Sequence, residues 1–86
     1  MKVLVPGPLR SYTKGASELD ATGESLAEVL SELDRRFPGI RFRMIDEQER
    51  VRTHIRFFIN GRQIHDLGHP LRTNDEFVII CALSGG

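Results

Sequence analysis

Only one stretch of this chain carries helical periodicity, and its position between segments of a different period constrains the fold. Leu26, Val29, Leu30, Leu33 and Phe37 recur at the three- and four-residue spacing that places them on one face of a helix. Ser25-Leu26-Ala27-Glu28 opens the segment as a capping box: the Ser25 hydroxyl accepts from the Glu28 amide and the Glu28 carboxylate reaches back. Glu24, Glu28, Glu32 and Asp34 fill the opposite side. Arg35 and Arg36 suit the negative end of the helix dipole, and Pro38-Gly39 stops it. Ile40, Phe42, Met44 and Ile45 continue as a further helical turn or an irregular packed segment. A single amphipathic helix has to bury its apolar stripe against something else, and the rest of the chain offers strands.

On both sides of the helix the period changes to two. Val3, Val5 and Leu9 fall on alternate positions and read as an opening strand, which Pro6 and Pro8 interrupt or bulge by removing ladder donors. Thr13-Lys14-Gly15 is turn chemistry and Ser17 to Ala21 alternates weakly, so residues 2–21 read as a hairpin. After the helix, Asp46 to Arg52 is almost wholly charged and reads as an exposed loop. Ile55, Phe57 and Ile59 then alternate with Arg56 and Phe58 up to Asn60-Gly61, a strong hairpin signal, and Arg62-Gln63-Ile64 begins the return. Leu67, Pro70 and Leu71 cover a loop, Thr73-Asn74-Asp75 makes a turn, and Phe77 to Ala82 forms the last strand. Strands split around one helix describe an α+β domain: a mixed four- to five-stranded sheet packed on one main helix. The opening and closing strands are the most apolar and are expected centrally, side by side. That arrangement is a β-grasp, or ubiquitin-like, roll over residues 1–82, with residues 83–86 as a flexible C-terminal tail.

A chain of 86 residues holds one small core, so a catalytic cleft between two lobes is excluded. Twelve basic and twelve acidic side chains cancel to a formal net charge of +0, which gives no global attraction to nucleic acid or anionic lipid. Residues 1–34 hold three basic and six acidic groups, and residues 35–86 hold nine and six, so the halves carry −3 and +3. Arg56-Phe57-Phe58 interleaves base and aromatic without the glycine-aromatic context of RNA-binding strands. A solvated face, or a docking patch for an acidic partner, is the expectation there. The run Phe77 to Leu83 is far shorter than the roughly 18 residues of a membrane span, and no targeting signal is visible. One cysteine excludes an internal disulfide and, with the rest, points to the cytoplasm.

No constellation of catalytic side chains emerges. His65 and His69 stand four apart, but Gly68 and Pro70 oppose a helix there and no partner cluster completes a metal site. His54 stands alone at a strand start. Cys81 lies within an apolar run, where a thiol acts as a small hydrophobe, with no adjacent cation or helix start to activate it. The chain lacks a phosphate-cradling glycine loop and any triad or paired-acid pattern. What remains is the end, Leu83-Ser84-Gly85-Gly86. Two residues without side chains can thread a narrow channel in another protein. A carboxylate there is a poor electrophile until adenylation activates it.

With these features the sequence resembles the MoaD/ThiS-like sulfur carrier family of ubiquitin-fold proteins. Ser25 to Leu30 through Arg36-Phe37-Pro38-Gly39 is similar to the family helix and its stop, and Phe58-Ile59-Asn60-Gly61 to its strand and turn. Leu71 to Ile79 resembles its Leu-x-x-Gly-Asp-Glu-Val stretch, with Asn74 at the glycine, and Ser84-Gly85-Gly86 matches its tail. Asn is tolerable at that glycine position because it also visits positive φ. Cys81-Ala82 replaces a pair that often contains proline, which leaves the exit of the tail less stiff.

The resemblance implies that an E1-like adenylating enzyme, consuming ATP, activates Gly86, and that Leu83, Ser84 and Gly85 thread its channel. A sulfurtransferase or other sulfur donor then leaves a thiocarboxylate, which an acceptor biosynthetic enzyme consumes. On that scheme the chain is a co-substrate with no bound cofactor, no metal, and no nucleic-acid or membrane partner. Val5 to Arg10 and the long segment from Met44 to His54 look more like carriers of the cysteine-biosynthesis type than the compact small subunit of molybdopterin synthase or the shorter thiamin carriers. If Phe77 and Ile79 face the helix, then Val78 and Ile80 face away together with Phe58, an apolar patch suited to partner docking. Two other functions fit the same residues: a ubiquitin-like modifier joined to lysines, and an interaction module whose tail is inert.

Overall fold

The computed structural model describes residues 1–82 of the chain. The elements run β1 (Lys2–Leu4), β2 (Glu18–Asp20), α1 (Leu26–Arg36), α2 (Ile40–Met44), β3 (Ile55–Ile59), β4 (Arg62–Ile64) and β5 (Glu76–Cys81). One turn of 3-10 helix, Gly7–Leu9, follows β1. The sheet is mixed and ordered β2-β1-β5-β3-β4, with β1 and β5 parallel and every other neighbouring pair antiparallel. The opening and closing strands therefore pair near the centre, and the architecture is the β-grasp roll expected from the periodicities.

Period-two alternation sorts the sheet into an inner and an outer face. Ile55, Phe57 and Ile59 of β3 and Phe77 and Ile79 of β5 are buried, and they pair across the ladder as Phe57↔Ile79 and Ile59↔Phe77. The Phe57 and Phe77 rings meet edge-on, with centroids 5.3 Å apart, a geometry worth about 0.5–1.5 kcal/mol beyond the area it buries. Leu26, Val29, Leu30 and Leu33 of α1 are fully buried against this face, and Ile40, Met44 and Ile45 close the core at the end of α2.

The start of α1 shows how a distant loop completes a local motif. The Leu26 and Ala27 amides donate to the carbonyls of His69 and Leu67 at 3.0 and 2.8 Å. The Ser25 hydroxyl accepts from Glu28 at 3.2 Å, so the amides that a helix start leaves unpaired find partners. The return arm of the capping box differs from expectation. Glu28 Oε1 accepts from the amide of Glu24, at 3.0 Å, rather than from that of Ser25. The helix ends one residue before Phe37, whose amide donates to Leu33 O at 2.7 Å while its half-buried ring packs against the core. Gly39, at φ 99°, turns the chain into α2, and Asp34 Oδ1 accepts from the amides of Gly39 and Arg41, both at 3.1 Å.

Two further expectations need correction. The opening strand stops at Leu4, because Pro6 and Pro8 carry no amide for a ladder, and Leu9 reaches the core from the 3-10 turn instead. Asn74 does not adopt positive φ; the turn there closes through Asp75, whose amide donates to Arg72 O while its Oδ2 accepts from Arg72 N. The charged stretch from Asp46 to Arg52 is the exposed loop expected, ordered as a tight turn. Asp46 Oδ1 accepts from the amides of Gln48 and Arg50 at 2.8 and 3.0 Å, Glu49 takes φ 61°, and Val51 bridges back to Ile45.

Candidate docking face and the end of the central strand

The side chains of β5 that do not enter the core form the centre of the outer sheet face. Val78 stands between Phe58 of β3 and Leu4 of β1, its cross-strand partners on either side. Ile80 stands opposite Arg56 and is 41% exposed, whereas Phe58, Val78 and Leu4 are half-buried. Phe58, Val78 and Ile80 thus share one face, and Leu4 extends it. Leu4 is missed when only the inward phase of Val3 and Val5 is followed, although its opposite parity already points it outward. At one end of this face Lys2 lies between Glu18 and Glu76, at 3.8 and 3.9 Å. Exposed ion pairs of this kind contribute little to stability.

Two turns lock the start of β5 in register. Asn60 and Gly61, at φ 51° and 84°, make the tight turn between β3 and β4. The Asn60 side chain donates to Asp75 Oδ1 at 2.8 Å and accepts from Glu76 N at 2.9 Å, while its amide donates to Glu76 O. The Arg72 amide first, and the Asn60 side chain second, hold the Asp75 carboxyl below the usual carboxylate range. At the other end Ile55 pairs with Cys81, and Ala82 N donates to His54 O at 2.7 Å, so ladder contacts reach Ala82. Leu83, Ser84, Gly85 and Gly86 lie outside the described residues.

The remaining sequence candidates do not converge. Cys81 is half-buried, in phase with Phe77 and Ile79, and packs at the edge of the core. His65 and His69 lie in the loop that supports α1, and His54 contributes its carbonyl to Ala82. Among the described residues no group of three or more His, Cys, Asp or Glu side chains is placed to hold a metal ion. No helix among them is long and apolar enough to cross a membrane.

Compared with protein families, residues 3–86 match the ThiS family. The sulfur carrier protein CysO of Mycobacterium tuberculosis is 27% identical over 89 residues, covering 98% of this chain and 96% of that protein. Among solved structures, a chain of the Amycolatopsis orientalis BexX/CysO complex superposes with a TM-score of 0.91 at 26% identity, covering 99% of this chain and 98% of that one. The small archaeal modifier protein 1 of Methanosarcina acetivorans superposes with a TM-score of 0.80 at 29% identity, covering 99% and 94%.

Proposed function

The chain belongs to the ThiS family, and from that premise we propose that it is a sulfur carrier whose Gly86 carboxylate is converted to a thiocarboxylate by partner enzymes. The observation that carries this reading is that the family match runs through residue 86 and so takes in Ser84-Gly85-Gly86. The carboxylate oxygen of Gly86 attacks the α-phosphorus of ATP on an E1-like adenylating enzyme and displaces pyrophosphate. Hydrosulfide then attacks the acyl carbon and displaces AMP to leave the thiocarboxylate. Where the donor is a sulfurtransferase persulfide, its outer sulfur attacks instead to give an acyl disulfide. A thiol then breaks the S–S bond, releasing the thiocarboxylate and forming a disulfide with the sulfurtransferase cysteine. The thiocarboxylate gives its sulfur to an acceptor biosynthetic enzyme, and the chain acts as a co-substrate in the cytoplasm rather than as a catalyst.

The fold suits this division of labour. Leu83, Ser84 and Gly85 follow directly on a central strand paired on both flanks, so the reactive end is carried by a rigid body. Phe58, Val78 and Ile80, with Leu4, offer partners an apolar face continuous with that strand. The BexX/CysO complex, in which a chain of this fold is crystallised with another protein, supports a docking role. The likeness to CysO, together with Val5 to Arg10 and the long segment from Met44 to His54, favours cysteine over molybdopterin as the pathway served.

Incubating the chain with ATP, its activating enzyme and a sulfur donor is expected to raise its intact mass by one oxygen-to-sulfur exchange. No gain with a demonstrably active enzyme refutes the proposal. The likeness to a small archaeal modifier protein favours lysine conjugation as a second reading. It shares the adenylation step and is distinguished by finding Gly86 in isopeptide linkage in cell extracts.

A further inference from the structure

Phe42 and Ile80 are the large apolar side chains that the described residues leave exposed, at 56% and 41%. Ile80 belongs to the outer sheet face. Phe42 does not: it sits on α2 two residues from both Ile40 and Met44, which are buried, and helical spacing turns it outward. The Arg52 guanidinium stacks over its ring at 4.6 Å, and Arg52 Nε donates to Phe42 O at 2.7 Å, so ring and cation are held as one unit. Phe42, Arg43, Arg52 and His54 line a single shallow depression. Through His54, whose carbonyl holds Ala82, this depression borders the end of β5. Arg56, opposite Ile80, folds its guanidinium back onto Thr53 O and links the depression to the sheet face.

Among the described residues the cations here lack acidic partners. Arg35, Arg36 and Arg41 pair with Glu32 or Glu49. Among the described residues Arg43, Arg52 and Arg56 have no carboxylate within ion-pair distance. Asp46, the acid that Arg52 influences, is committed to the amides of Gln48 and Arg50. A guanidinium stacked on an exposed aromatic ring, with a second arginine lining the same depression, is a pattern that anchors protein interfaces, because a guanidinium can donate two hydrogen bonds to one carboxylate while the ring is desolvated. A phosphate backbone fits less well. The cluster is short, the chain has no net positive charge, and Asp46, Glu47 and Glu49 flank it.

We propose that Phe42, Arg43, Arg52 and His54, with Arg56, form a contact site for an acidic segment of the protein that receives the tail. The site itself rests on the geometry above; the identity of the partner rests on the sulfur-carrier reading. Two measurements keep the two apart. In the first, the full chain is titrated with a glutamate-rich peptide carrying one central leucine, and with an oligothymidylate of equal charge, by amide chemical shifts. The peptide is expected to move the amides of the cluster, and Arg43→Glu/Arg52→Glu to abolish the effect. Shifts confined elsewhere, or a preference for the oligonucleotide, overturn the site. In the second, the KM of the activating enzyme for the chain is expected to rise about tenfold in the variant with kcat retained. Its salt dependence is expected to flatten. An unchanged KM in the variant, when the parent chain loads sulfur, overturns the partner assignment, whereas failure of the parent itself to load sulfur refutes only the sulfur-carrier reading. Arg43→Glu alone serves if the double variant does not fold, since Arg43 is exposed and its side chain makes no hydrogen bond among the described residues.

Discussion

Replacing Gly23 by alanine tests how tightly the entry to α1 is packed against its own first turn. A Cβ built at Gly23 would lie 2.8 Å from both Val29 Cγ2 and Val29 N, and 3.2 Å from the Glu28 carbonyl carbon. Carbon atoms in contact prefer about 3.5–4.0 Å, so the methyl overlaps its neighbours substantially. Val29 is fully buried and its amide donates to Ser25 O at 3.1 Å, so the backbone yields only by loosening the turn that Ser25 caps. Gly→Ala also lowers the entropy of the unfolded chain, a gain of about 0.4–1 kcal/mol where the native backbone is compatible. Overpacking costs about 1–3 kcal/mol, and disturbing an N-cap costs about 1 kcal/mol more. The clash wins, leaving a net loss of about 2 kcal/mol. For a domain of this size that lowers Tm by about 8–16 °C. Urea denaturation and thermal melts followed by far-UV circular dichroism read both numbers. Val29→Ala removes the side-chain half of the clash, so the double variant is expected to lose at least about 0.5 kcal/mol less than the two single losses together. A Gly23→Ala chain as stable as the parent, or more so, would refute this account of the junction.

Acid should expose the role of Asp75. Its carboxyl is held below the usual range in the folded chain by the Arg72 amide and then Asn60. Its stabilising contribution is therefore present above the unfolded value of about 3.9 and fades as pH falls through the lower folded one. The difference in urea midpoint between the parent and Asp75→Ala should accordingly be largest near neutrality and shrink by pH 3; a gap that is constant or widens at low pH contradicts the assignment. Ile80→Asp, on the outer face, is expected to change stability by no more than about 0.5 kcal/mol while raising KM with the activating enzyme, and a folded variant with unchanged KM removes this face from docking. Deleting Gly86 is expected to abolish sulfur loading with Tm unchanged, and a melt lowered by several degrees would show that the residue has a structural role instead.

The features legible in the sequence are those set by neighbours a few residues apart. Ser25 with Glu28 marks the helix start, Asn60-Gly61 specifies its turn, and alternation in β3 and β5 sorts Phe58, Val78 and Ile80 from the core. The central pairing of β1 and β5 follows from their apolar content, because a strand flanked on both sides is shielded from water. Contacts between distant segments leave no local mark. Nothing near Leu26 announces that Leu67 and His69 will accept its helix-start amides, and nothing near Asn60 shows that its side chain will pair with Asp75 and Glu76. Charge also conceals order. The stretch from Asp46 to Arg52 is built of residues that usually remain solvated, yet one carboxylate accepting two amides folds it and brings Arg52 onto Phe42. The candidate docking face was therefore readable from parity, whereas the cationic aromatic cluster beside it required the fold.

β5 is laced to β1 on one side and to β3 on the other, with hydrogen bonding continuing as far as Ala82. Tension applied along the axis of this strand loads both ladders in shear. Bonds sharing a shear load give way together, whereas bonds at a peeled edge fail one after another at low force. Under the proposed sulfur-carrier role, a pull along this strand by a partner is thus borne while the domain stays folded. The same residues on an edge strand would unzip.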